Sequence, residues 1–169
     1  MNENQFKVKG FIVWIICAVF FMYEFLLRTV VGSFQTPLMK DLNLSFVQFS
    51  LLSTTIFLFI YGVMQIPVGI IIENLGLKKA LFIATLICAL GALGFSYSTS
   101  FGLALFFRML MGLGASFGFI GLLMSVNDWM PRKYIAIFSG LSQIIGTHGP
   151  MLGAGPLEGF SGASSITFH

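Results

Sequence analysis

The sequence predicts an all-α membrane protein, a transmembrane helix bundle of about five spans, and three observations carry that prediction. Hydrophobic residues make up 57% of the chain and charged residues only 9%, against about 25% charged in an ordinary soluble domain. Mean hydropathy is +0.94, and 20 of the 169 residues are phenylalanine. A short water-soluble domain exposes a large share of its surface and has nowhere to hide so much apolar side chain, so the bilayer is the solvent. The apolar residues also fall in runs of about 20, the length of helix that crosses hydrocarbon.

In chain order the runs cover 10–33, 48–72, 79–98, 101–126 and 134–157, and leave 158–169 as a short polar tail. The first follows Lys7 and Lys9 as a secretory signal would. It is too long for one, lacks a small-residue cleavage site and precedes further spans, so it reads as a permanent helix. The second closes on "MQIPVG" and the third starts beyond Lys78 and Lys79. The fourth and fifth are rich in glycine: Gly112, Gly114, Gly118 and Gly121, then Gly140, Gly146, Gly149 and Gly153, with Pro150 following Gly149. Gly114 and Gly118 make a GxxxG pair, which lets helix backbones approach closely in lipid.

Charge sets the orientation. Lys7, Lys9, Lys78, Lys79, Arg132 and Lys133 fall on the side of the N-terminus, and Lys40 alone on the other. Basic loops stay inside, which makes the N-terminus cytoplasmic and the chain a multi-pass protein of the cell membrane. The net charge of +3 is spread as short pairs, not gathered on one face, which argues against a nucleic-acid partner. Cys17 and Cys88 lie deep in apolar runs and read as small buried hydrophobes, not as a disulfide or a metal site. There is no zinc-type His-Glu-x-x-His, no paired intramembrane Asp and no serine with a plausible base. No catalytic residue, metal or cofactor is expected, and the chain does not read as an enzyme.

Two connections on the cytoplasmic side carry motifs. "GIIIENLGLKK" joins spans two and three, and "NDWMPRKYIAIFSG" joins spans four and five. Both hold a carboxylate near basic residues, an arrangement suited either to latching two helices by charge or to solvated loop charge that only fixes orientation.

These motifs resemble the major facilitator superfamily. The signature loop of that family appears as Gly69, Glu73, Asn74, Gly76, Lys78 and Lys79. It is accompanied in order by "MQIPVG" (Met64 to Gly69), "RMLMGLG" (Arg108 to Gly114), "WMPRKYIAIFSG" (Trp129 to Gly140) and "GPMLGAGP" (Gly149 to Pro156). The resemblance implies a secondary transporter working by alternating access, with the Gly69 to Lys79 loop as a cytoplasmic gate. Glu73 stands where the family has Asp, and Asn74 and Leu77 where it has Arg, which implies a weaker or differently paired latch. Ala154 replaces a glycine of the pattern associated with antiporters, so a symporter or uniporter is the expectation. Members have twelve spans in two six-span halves; on that scale the chain is a truncated N-terminal half, whose missing C-terminal half is expected as a covalent or separate partner.

The stretch "FMYEFLLRTVVG" (Phe21 to Gly32) buries Glu24 and Arg28 inside span one. A charge at a helix centre costs about 2.5–3.5 kcal/mol on insertion scales, so it must face a partner or water. The two residues are four apart on one helix face and can pair. Arg28 in the outer half of span one and Arg108 in span four lie at similar depth. They are expected to converge on one anionic group of a small solute, with Tyr23 and Gln65 adding hydrogen bonds and Glu24 titrating a coupling proton. The alternative is a permanent Glu24–Arg28 strut, with Arg108 bracing helix packing. His148, in the middle of span five, is a second proton-coupling candidate or a packing residue. "YEFLLR" is similar to bacterial-type carriers of organic anions, amino acids or small peptides. The competing expectation is a non-transporting assembly or regulatory protein of the membrane, or the remnant of an interrupted transporter gene.

Overall fold

The computed structural model describes residues 3–154, and the side chains of residues 8–151. Among them the chain is a helix bundle with no strand. Helix α1 runs over Glu3–Ser33, α2 over Gln35–Asp41 and α3 over Phe46–Ser50. A wide π turn at Leu51–Thr55 leads into α4 (Ile56–Leu75). There follow α5 (Leu77–Ser96), α6 (Phe101–Ala115), α7 (Phe117–Trp129) and α8 (Ile135–Ala154). Among the described residues, four helical stretches are long and apolar enough to cross a membrane: Val8–Ser33, Phe46–Leu75, Leu77–Ser96 and Phe101–Trp129.

Local chemistry explains the boundaries. Ser45 starts α3 with a capping box: its hydroxyl accepts the Gln48 N–H at 3.3 Å, and the Gln48 side chain accepts the Ser45 N–H at 2.9 Å. Ser100 caps α6 by accepting the Leu103 N–H at 3.4 Å. Between α4 and α5 the chain reverses on the single residue Gly76, whose φ of +80° is cheap only for glycine. That residue type is what permits two long helices to be joined by one residue.

Helix α1 is shared by two apolar clusters. On one side Leu27 packs with Phe57, Val68, Ile72, Ala84, Cys88 and Met111 of α4, α5 and α6. On the other, Trp14, Cys17 and Phe21 pack with Leu122 and Val126 of α7. Helix α8 lies along α1, where the Trp14 indole N–H donates to Ser142 Oγ at 2.8 Å. The outward faces carry Ile16, Ile66, Phe82 and Ile144, as a surface bathed in lipid requires.

Candidate functional site

The four-residue spacing of Glu24 and Arg28 puts both on the face of α1 that turns toward α4 and α7. Arg28 Nη2 donates to Glu24 Oε1 at 2.9 Å. The Glu24 side chain is 0% exposed and that of Arg28 25%. The guanidinium lies between two rings, 4.7 Å from the Phe25 centroid and 4.8 Å from that of Tyr61 on α4. Such stacking favours a cation that has lost much of its water. The pair is incompletely bonded: among the described residues Glu24 Oε2 and Arg28 Nε are buried without a hydrogen-bond partner. Buried polar atoms are seldom left so. Oε2 faces Gly118 of α7 so closely that a Cβ there would stand 2.6 Å from it. The missing side chain at Gly118 is what lets the carboxylate fit between the helices.

Arg108 of α6 has the opposite environment. It is 0% exposed, and its guanidinium is taken up by backbone. Nε donates to Leu52 O at 3.1 Å, Nη1 to Leu27 O at 2.7 Å, and Nη2 to Arg28 O at 3.0 Å and Ser53 O at 2.6 Å. The Phe57 ring lies beneath it at 4.5 Å. Leu52 and Ser53 belong to the π turn, where the regular i−4 ladder is interrupted and carbonyls become available to another donor. One side chain thus ties α6 to α1 and to the second span. Only arginine, with five donors in a fixed fork, can do this.

A family model described as Major Facilitator Superfamily matches residues 13–166. The chain belongs to the Major Facilitator Superfamily. No curated protein matches it. No solved structure does either. Membership gives this protein a general role in transport across a membrane.

The other candidate residues of this facilitator chain are distributed as follows. Tyr23 packs beside Phe20, with ring centroids 6.4 Å apart, against the cluster shared by α1 and α4 to α6. Gln65 donates to Tyr61 O at 3.4 Å, one turn back on its own helix. His148 is exposed on α8, its Nδ1 2.8 Å from Ile144 O, on a different side of the helix from Gly146 and Gly149, which face α1. In the 69–79 connection, Glu73, Lys78 and Lys79 are exposed, and among the described residues no ion pair joins them. Gly69 has open space where a side chain would go. The remaining glycines serve close packing. A Cβ on Gly112 would stand 3.0 Å from Phe57 O, and one on Gly114 2.7 Å from Ala84 O. One on Gly149 would collide with Met22 O. The two members of the GxxxG pair therefore face different helices, Gly114 toward α5 and Gly118 toward α1. Pro150 lies within α8. Gly153 is in the last turn of α8, with surroundings outside the described side chains, and the 158–169 tail is outside the described residues.

Sequence reasoning missed Tyr61 and Phe25, which sandwich Arg28. Tyr61 had a signal: it is one of four tyrosines in the chain, one turn before Gln65 in an otherwise greasy span. The carbonyls of the π turn had none, since no residue type marks a backbone acceptor.

Proposed function

We propose that the protein is part of a secondary active transporter that moves a small polar or anionic solute by alternating access, with Arg28 binding the anionic group and Glu24 carrying a coupling proton. The single observation behind this reading is the unsatisfied Glu24–Arg28 pair: a buried acceptor and a buried donor, each without a partner, in a place where unmet polarity is costly. Arg28 Nε offers a hydrogen bond to a solute oxygen. Glu24 Oε2, close against Gly118, is an unpartnered acceptor that a proton would satisfy. Arg28 is favoured over Arg108 as the ligand group because the Arg108 donors already point at carbonyls. The cycle involves no covalent chemistry. In it, protonation of Glu24 would loosen its hold on Arg28, freeing the guanidinium for the solute.

The distribution of basic residues supports a cytoplasmic N-terminus. A protein partner, such as a second half, is supported by Gln143, Thr147 and His148, polar groups exposed on α8 in a helix whose polar faces should meet protein or water.

The test is uptake into proteoliposomes carrying the chain together with a second half, with small carboxylates and phosphates as candidate solutes and an internal pH dye. Uptake with acidification in the parent, uptake lost in Arg28→Ala, and uptake without acidification in Glu24→Gln are the expected results. Unchanged kinetics in both variants would overturn the reading.

A further inference from the structure

An open groove lies at the basic end of the bundle, remote in the fold from Arg28. It is a groove of about 1170 Å³ between the first turns of the membrane-crossing part of α1, the start of α5, and Trp129 at the end of α7. Pockets that hold drug-sized solutes run to about 300–1,000 Å³, so this one suits something longer. Its walls include Val13, Ile16, Phe82 and Ile83. Ile16 and Phe82 are 59% and 65% exposed, so the groove opens sideways onto the lipid-facing surface, while the buried Cys17 also lines it. At its rim stand Lys78 and Lys79, both exposed and neither in an ion pair among the described residues.

The neighbouring charges do not cancel them. The first turn of α5 holds no acidic residue, and its N-cap, Gly76, has no side chain to bond the free N–H groups. Among the described side chains, the carboxylates at this end are Glu73 and Asp128, against Lys9, Lys78, Lys79, Arg132 and Lys133. An apolar slot open to hydrocarbon beneath two free ammonium groups has the polarity of a diacyl lipid with a charged head. Basic pockets between transmembrane helices hold such headgroups.

We propose that this groove binds one anionic phospholipid, with acyl chains along Val13, Ile16, Phe82 and Ile83 and the phosphate on Lys78 and Lys79. A helix seated there would cover the walls but leave both ammonium groups unmatched. The proposal is independent of the transport reading and needs no solute.

Lipid binding to the purified chain in detergent tests it, by titration with phosphatidylglycerol, with phosphatidylcholine, and with glycerol 3-phosphate as the headgroup alone. The expected preference for phosphatidylglycerol is lost in the Lys78→Ala/Lys79→Ala double variant, by about fivefold for each lysine and about 30-fold for both. Ile16→Trp, which fills the slot and keeps the lysines, should displace the lipid, and glycerol 3-phosphate should fail to compete. Equal binding of both lipids, an undiminished preference in the double variant, or full competition by glycerol 3-phosphate would each overturn it.

Discussion

Two arginines lie within the membrane-spanning helices, and their surroundings differ in the one respect that separates scaffolding from chemistry. Arg108 donates to four carbonyls on two neighbouring segments and is wholly enclosed. Arg28 has one carboxylate oxygen, two aromatic faces, an unused Nε and a quarter of its side chain exposed. The same functional group is saturated where it is fully enclosed and left short where it is partly exposed. A saturated guanidinium has nothing to offer a solute without first breaking the fold. An unsaturated one has a donor to give.

That contrast can be attacked by substitution. Arg108→Ala should have the largest effect on stability, about 3 kcal/mol or more, because it strips donors from carbonyls of Leu27, Arg28, Leu52 and Ser53. Reversible unfolding in mixed micelles measures it, and a loss below about 1 kcal/mol would mean that the backbone finds other partners. Gly118→Ala comes next, at about 1–3 kcal/mol of overpacking, since its Cβ would stand 2.6 Å from Glu24 Oε2. Replacing Glu24 by Ala in the same chain should relieve most of that clash, because no side-chain oxygen then reaches Gly118; a double-mutant cycle reads the coupling. Gly76→Ala should cost about 1 kcal/mol through its positive φ, with no change in solute binding. Arg28→Ala should move stability least, by less than about 1 kcal/mol, because the Glu24 carboxylate left without its partner can take up a proton and so avoids standing as an unpaired buried charge.

The sequence made the broad architecture legible and the site only in part. Apolar runs and sparse charge were enough for an all-helical membrane bundle, because hydrocarbon admits so few backbone solutions. The spacing of Glu24 and Arg28 revealed a pair on one face. Depth alone placed Arg28 and Arg108 side by side, and the two do touch, but through the Arg28 carbonyl, not through a shared opening. What sets their different surroundings is the direction of backbone carbonyls around a π turn, and carbonyls are common to every residue. Likewise, Gly114 and Gly118 read as one packing motif. The second of them faces a carboxylate of α1 instead, a consequence of three-dimensional packing that spacing does not encode.

The central claim is that Arg28 works for the solute and Arg108 for the fold. Measuring unfolding free energy and solute uptake on the same preparations of Arg28→Ala and Arg108→Lys tests it most directly. Near-parental stability with lost uptake in Arg28→Ala, beside clear destabilisation in Arg108→Lys, is the predicted outcome. Arg28→Ala that is as unstable as Arg108→Lys, or that transports as well as the parent, would contradict it.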